Sequence, residues 1–217
     1  MNSGRYGLVI FDVDGTLLDT KEGILSSVKY TINHFGLPMI SNEKLLEFIG
    51  PPIQDSFANA FGLQGCILQE IATVFRSHYA KEDLYKAKPY EGIYDVFENM
   101  KTRNIQTAIA TYKREDYARD ITRHFGFDRY TENIFGADHE NKLKKKDIIL
   151  RCVGFANLSS NREALMVGDS LNDGIGAQQN EMDFVAVTYG YGFKSGEPCS
   201  CKCVGICDSP KEILKLI

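Results

Sequence analysis

Residues 11–20 read FDVDGTLLDT, and two acids, Asp12 and Asp14, stand one residue apart where the apolar run GLVIF (7–11) ends. In an extended chain, positions i and i+2 point to the same side. The two carboxylates therefore crowd one another as the chain leaves a buried strand. Like charges held that close make each other's ionisation costly. A divalent cation, a shared proton or an incoming phosphate would compensate. Other apolar runs end in the same polar way. IQTAIA (105–110) is followed by Thr111 and Lys113, and ALMVG (164–168) by Asp169 and Asp173. Ahead of the latter run, KLKKKD (142–147) opens a helix with four lysines.

Strand-like and helix-like pieces alternate, which predicts an α/β fold with a Rossmann-like parallel sheet. Strands are predicted at 7–11, 105–110, 164–168 and 184–189, with a short fifth around VGIC (204–207). A helix is predicted over 114–125, where Tyr117, Ile121 and Phe125 recur every fourth residue and Gly126 offers a C-cap. In an open parallel sheet, ligands gather at the carboxyl ends of the strands, and here those ends carry the acids, the threonine and the lysines. Residues 12–104 separate the first two strands, far more than one crossover helix needs. Within them, 22–35, 42–48, 53–61 and 66–83 read as helices, broken by Gly36, Pro38, GPP (50–52) and Gly62. The predicted architecture is an all-helical cap domain (20–86) inserted into a catalytic core made of 1–19 and 87–217. Asp19 and Glu22 read as a capping box at the first cap helix.

The hydrophobic fraction of 43% and charged fraction of 25% are ordinary for a globular protein. Net charge is −4 and the pI about 5.6, so there is no global basic field to attract nucleic acid. No apolar run approaches the roughly 18–20 residues of a membrane span, and the N-terminus has too few apolar residues for a signal peptide. These features predict a cytoplasmic chain, with no nucleic-acid or membrane partner, working as a monomer or homodimer. Its six cysteines are then reduced thiols. Cys66 and Cys152 read as packing residues within helices. Cys199, Cys201, Cys203 and Cys207 form a CxCxCxxxC cluster, a poor match to paired zinc motifs. We expect no stoichiometric zinc there, because alternate positions would need a sharply folded loop to surround an ion. His34, His78, His124 and His139 fall at no catalytic position.

DVDGTLLD resembles the DxDGT signature of the haloacid dehalogenase-like superfamily, whose members are mostly phosphatases. The superfamily's other motifs follow in order: Thr111, a lysine before the third strand, and GDxxxD beginning at Gly168. FIGPP (48–52) and VTYGYG (187–192) look like the phosphoglycolate phosphatase-like branch. The resemblance implies a Mg²⁺-dependent phosphatase of a small phosphorylated metabolite, phosphoglycolate or a nucleotide, working through an aspartyl-phosphate. It makes Asp12 the nucleophile and Asp14 the acid and base. Thr111 binds a phosphate oxygen, and Lys145, or its neighbour Lys144, neutralises developing charge. Gly15 and Lys113 join the substrate site. Asp12, the Asp14 carbonyl and Asp169 hold the metal, with Asp173 supporting them. The rival readings are a sugar-phosphate mutase of the same superfamily and a non-catalytic binding protein on this fold.

Overall fold

A run such as Leu-Val-Ile-Phe, apolar at every position, suits a strand covered on both faces of a parallel sheet. In the computed structural model, which describes residues 5–140, 142–156 and 158–217, this run is β1 (Leu8–Phe11), buried throughout. It pairs in parallel with β4 (Gln106–Arg114) on one side and β6 (Ala164–Gly168) on the other. With β5 (Ile134–Ala137), β7 (Asp183–Val187) and β8 (Gly205–Cys207), the six-stranded sheet runs β5-β4-β1-β6-β7-β8. Every pair in it is parallel. Phe11 stands opposite both Ile109 and Val167, so Asp12, Thr111 and Asp169 leave the sheet along one rim.

Helices cover both faces. On one face, α7 (Lys145–Val153) and α8 (Leu171–Gln179) bury Ile148, Ile149 and Ala177 against Leu8, Ile10, Ala108, Met166 and Phe184. On the other, α5 (Ile93–Thr102) lays Phe97 on Phe11 and Phe127, with ring centroids 5.0 and 5.4 Å apart. α6 (Glu115–His124) follows β4 and ends before Gly126, whose φ of +74° supplies the left-handed turn.

The chain divides into two compact units, one comprising the residues up to Leu18 with Pro89–Ile217, the other Asp19–Lys88. Short strands β2 (Leu18–Asp19) and β3 (Lys88–Pro89) pair with each other at the two crossings. The second unit is helical: α1 (Lys21–His34), α2 (Asn42–Leu46), α3 (Ile53–Phe61) and α4 (Ile67–His78). Beyond His78 the helix widens into a π turn over Tyr79–Asp83. That turn places the buried Asp83 carboxylate where Ser27 Oγ donates to it at 2.6 Å, Lys86 Nζ lies at 2.7 Å and His78 Nε2 at 3.4 Å.

Burial opposes the Asp83 charge, but hydrogen bonds from Lys86, Ser27 and Ser26 outweigh it and hold the carboxyl below its ordinary range. Asp83→Ala strands the buried Ser27 hydroxyl and should cost about 1–3 kcal/mol in urea unfolding at neutral pH. A carboxyl with a lowered folded pKa contributes above its unfolded pKa of about 3.9 and loses that contribution as pH falls through the folded value. The variant and parent should therefore converge in acid.

Several sequence expectations need correction. β5 was not anticipated: Gly136 reads as a breaker in a four-residue run, yet a side chain there would strike the Lys113 carbonyl, so close strand approach requires glycine. β4 runs on to Arg114, with an irregular register after Ala110, and so carries Thr111 and Lys113 inside the strand. The capping box at Asp19 and Glu22 does not form. Thr20 is the N-cap and its side chain makes no capping bond, and Asp19 Oδ1 accepts from the Lys21 amide at 3.2 Å. Cys66 is exposed just before α4, whereas Cys152 is buried in α7. No helix among the described residues is long and apolar enough to cross a membrane.

Candidate active site

The Asp12 amide donates to the Val167 carbonyl at 3.0 Å, which ties the turn after β1 to β6. Asp12 and Asp14 are 5% and 6% exposed. Lys145, the first residue of α7 and 4% exposed, reaches into this turn. Its Nζ lies 2.6 Å from Asp12 Oδ1 and 2.7 Å from Asp173 Oδ1. Lys144, the neighbour left open by the sequence, is exposed, and its backbone N–H donates to Asp147 Oδ2 at 3.0 Å. Lys113 Nζ lies 3.1 Å from Asp14 Oδ1, with both side chains buried. The Thr111 hydroxyl oxygen accepts the Lys113 amide at 3.2 Å.

The two later aspartates are fixed by backbone. Asp173 Oδ2 accepts from the Ser170 amide at 3.1 Å and its hydroxyl at 2.6 Å, a capping box that opens α8. Asp169 Oδ2 accepts from the Tyr191 and Gly192 amides at 2.7 and 3.3 Å. Ligand oxygens of Asp12, Asp169 and Asp173 all lie within 4.8 Å of one another. Asp14 turns its carboxylate to Lys113 instead, and its side chain is not in that group.

Burial raises the Asp12 carboxyl pKa. Lys145 opposes the shift, while Asp173 and Asp14 add to it. Burial, then Asp173 and Asp12, push Asp169 well above the ordinary carboxylate range, against the two amides. Burial also works against the Lys145 charge, but Asp12 and Asp173 prevail and the ammonium is held more tightly than usual. One lysine thus meets two of the three buried carboxylates in this group. The all-oxygen donor set and the surplus negative charge fit a hard divalent cation such as Mg²⁺.

Gly15 has a packing reason beyond the turn. Its φ is +80°, and a Cβ there would fall on the Asp169 carboxylate and the Tyr191 ring. Its amide donates to the Leu18 carbonyl at 2.9 Å, which closes the turn itself. Gly15→Ala should lower kcat/KM by at least about 100-fold and stability by about 1–3 kcal/mol. Gly36→Ala is the control: φ is +61° there, but the space around it is open, so only the backbone strain should register in thermal unfolding.

Sequence reasoning missed the residues that position the site. The Tyr112 hydroxyl oxygen accepts the Lys145 amide at 2.9 Å, and its ring centroid lies 5.6 Å from the Lys145 ammonium. Ser170 holds Asp173. The segment VTYGYG serves Asp169 through backbone amides, which explains its glycines: a side chain at Gly190 would meet the Gly15 carbonyl.

A family model described as haloacid dehalogenase-like hydrolase matches residues 9–187. The chain belongs to that family. Among haloacid dehalogenase-like relatives, a 5′-nucleotidase of Pseudomonas aeruginosa is 31% identical over 87% of this chain and 85% of its own length. A phosphoglycolate phosphatase of Agrobacterium fabrum is 31% identical over 85% of this chain and 81% of its own. The solved structure of protein tyrosine kinase A from Mycobacterium tuberculosis superposes with a TM-score of 0.82 at 31% identity, covering 97% of each chain. Family membership makes the chain an enzyme of the hydrolase class, with phosphatases among its relatives.

Proposed function

We propose that this chain is a Mg²⁺-dependent phosphatase that hydrolyses a small phosphomonoester through an aspartyl-phosphate on Asp12. The observation that carries the reading is Lys145 seated between Asp12 and Asp173, with Asp169 completing a buried group of oxygens at the sheet rim. Mg²⁺ on Asp12, Asp169 and the Asp14 carbonyl, with Asp173 behind, would offset their charge and let a phosphate dianion approach. The Asp12 carboxylate attacks phosphorus, an acyl-phosphate bond forms, and the bond to the leaving oxygen breaks. Asp14 gives that oxygen a proton and then takes one from the water that attacks the same phosphorus, releasing phosphate and Asp12. Lys113 holds the Asp14 carboxyl in place. Thr111, whose oxygen accepts the Lys113 amide, has its own hydrogen to donate to a phosphate oxygen. Lys145 neutralises charge that builds on the transferring group.

Phosphoglycolate and nucleoside monophosphates are the substrates to try first, given the relatives. The cytoplasm is the compartment we assign, in keeping with six free thiols. A panel of phosphometabolites should release inorganic phosphate and alcohol in equal amounts. Chelator should stop the reaction, Mg²⁺ restore it, and Ca²⁺ inhibit it through its larger, looser shell. Phosphoryl transfer to a second sugar phosphate, or to a tyrosyl peptide, outrunning water would overturn the assignment. So would full activity in metal-free buffer.

A further inference from the structure

The proposed chemistry uses none of the cysteines near the C-terminus, yet two of them stand together as free thiols. In an extended segment, alternate residues lie about 7 Å apart. The loop bends at Ser200 and Cys201 instead, and the Cys199 and Cys201 sulfurs come to 3.5 Å. Both side chains are half-buried against the core cluster, while Pro198, Ser200 and Lys202 around them are exposed, so a small oxidant reaches the sulfurs. Cys201 Sγ fills the space a side chain at Gly174 would need, which seats it on the first turn of α8, one residue past Asp173. Of the other thiols, Cys66 lies ahead of α4, Cys152 and Cys207 are buried, and Cys203 lines a cleft of about 420 Å³ with Arg5, Arg162 and Lys202.

We propose that Cys199 and Cys201 are a redox-active dithiol, closed to a disulfide by a peroxide and reopened by small thiols, that bears on the first turn of α8. Burial and the hydrogen bond to Cys199 push the Cys201 thiol up to about 12, so Cys201 keeps its proton and Cys199 is the attacking sulfur. The Cys199 thiolate attacks one peroxide oxygen: an S–O bond forms and the O–O bond breaks. The leaving hydroxide takes up the proton that Cys199 had released, giving water. The Cys201 sulfur then attacks the sulfenic sulfur. The S–S bond forms, the S–O bond breaks, and hydroxide leaves as water with the Cys201 proton. Two thiols and one hydrogen peroxide thus give one disulfide and two waters, the peroxide taking the two electrons that the sulfurs lose. A disulfide spanning one residue in an exposed loop is labile, and two small thiols reopen it by exchange, leaving as their own disulfide. Bond formation draws the sulfurs from hydrogen-bond to covalent distance and pulls Cys201 from its seat on Gly174. That seat backs the turn where the Asp173 and Gly174 amides donate to the Ser170 carbonyl at 3.1 and 3.3 Å.

Trypsin isolates the pair, because the peptide Ser195–Lys202 carries Cys199 and Cys201 and no other cysteine. The reduced full chain is treated with about one equivalent of hydrogen peroxide, its remaining thiols are blocked with iodoacetamide, and it is digested without reductant. In at least about half of the chains, this peptide should emerge unblocked and lighter than the dithiol by two hydrogens. Dithiothreitol before blocking should restore two blockable thiols. Amide exchange at Asp173 and Gly174 should quicken at least about tenfold in the oxidised chain and recover on reduction. In Cys201→Ser, peroxide should leave that exchange unchanged, and Cys66→Ser should behave as the parent. The parent alone decides the test, whether or not the variants fold. A peptide 195–202 that stays dithiol, carries sulfinic acid, or is linked to Cys203 or Cys207 would overturn the pair. Unchanged exchange in α8 on oxidation would overturn its action there. None of these readouts needs turnover, so the phosphatase reading is tested apart from them.

Discussion

Asp12→Asn should lower turnover by at least about 10⁴-fold while the protein folds as before. The amide nearly matches the carboxylate in shape, and its oxygen can still accept from Lys145, which lies 2.6 Å from Asp12 Oδ1. What it cannot do is attack phosphorus and then depart as a stable anion. The substitution also removes one charge from a group whose ionisation is opposed by burial and by Asp173 and Asp14. Its melting temperature should therefore equal or exceed that of the parent. Loss of activity together with loss of structure would point to a structural role instead, and substantial phosphatase activity in the folded variant would remove Asp12 as nucleophile.

Lys145→Met carries the second large effect, and here activity and stability should fall together. The ammonium, 4% exposed, is shared by Asp12 and Asp173. Its removal strands buried carboxylates, the kind of change that costs about 3–5 kcal/mol. It also takes away the charge that meets the transferring phosphoryl group, worth roughly 10³-fold in rate or more. The pH dependence has a definite sign. A lysine with a raised folded pKa contributes fully below its unfolded value of about 10.4, so its own titration adds no slope near neutrality. The stranded Asp12 carboxyl does add one. It is raised to about 7 even with the lysine present and rises further without it, so the variant should gain stability relative to the parent as pH falls from the alkaline side toward about 7. Urea unfolding at several pH values reads this directly. A stability gap that stays constant or widens toward acid would contradict the electrostatic account.

The parts of the site legible in the sequence are those where a polar residue ends an apolar strand. Asp12, Thr111 and Asp169 each follow such a run, and parallel pairing brings the three ends to one rim. Lys145 could be narrowed only to a pair. Lys144 and Lys145 are chemically alike, and what separates them is which stands at the first turn of α7 facing inward. Tyr112 gave no sign, since its role is to accept a backbone N–H from a residue 33 positions away. The path of the Cys199–Cys203 loop was hidden for a related reason. Alternation implies one face only if the backbone is extended, and a bend at Ser200 and Cys201 is not announced by Cys-Ser-Cys. β5 escaped because its glycine, read locally, interrupts a strand, whereas its cause is the nearness of another backbone.

The central claim is that the phosphoryl group passes through the Asp12 carboxylate, and trapping that bond tests it most directly. The enzyme, turning over its best phosphomonoester with Mg²⁺, would be quenched into borohydride, which reduces an acyl phosphate to the alcohol. Peptide mass spectrometry should then find homoserine at position 12, dependent on substrate and absent from Asp12→Asn. Homoserine at position 14 instead, or none at either position while turnover proceeds, would contradict the account.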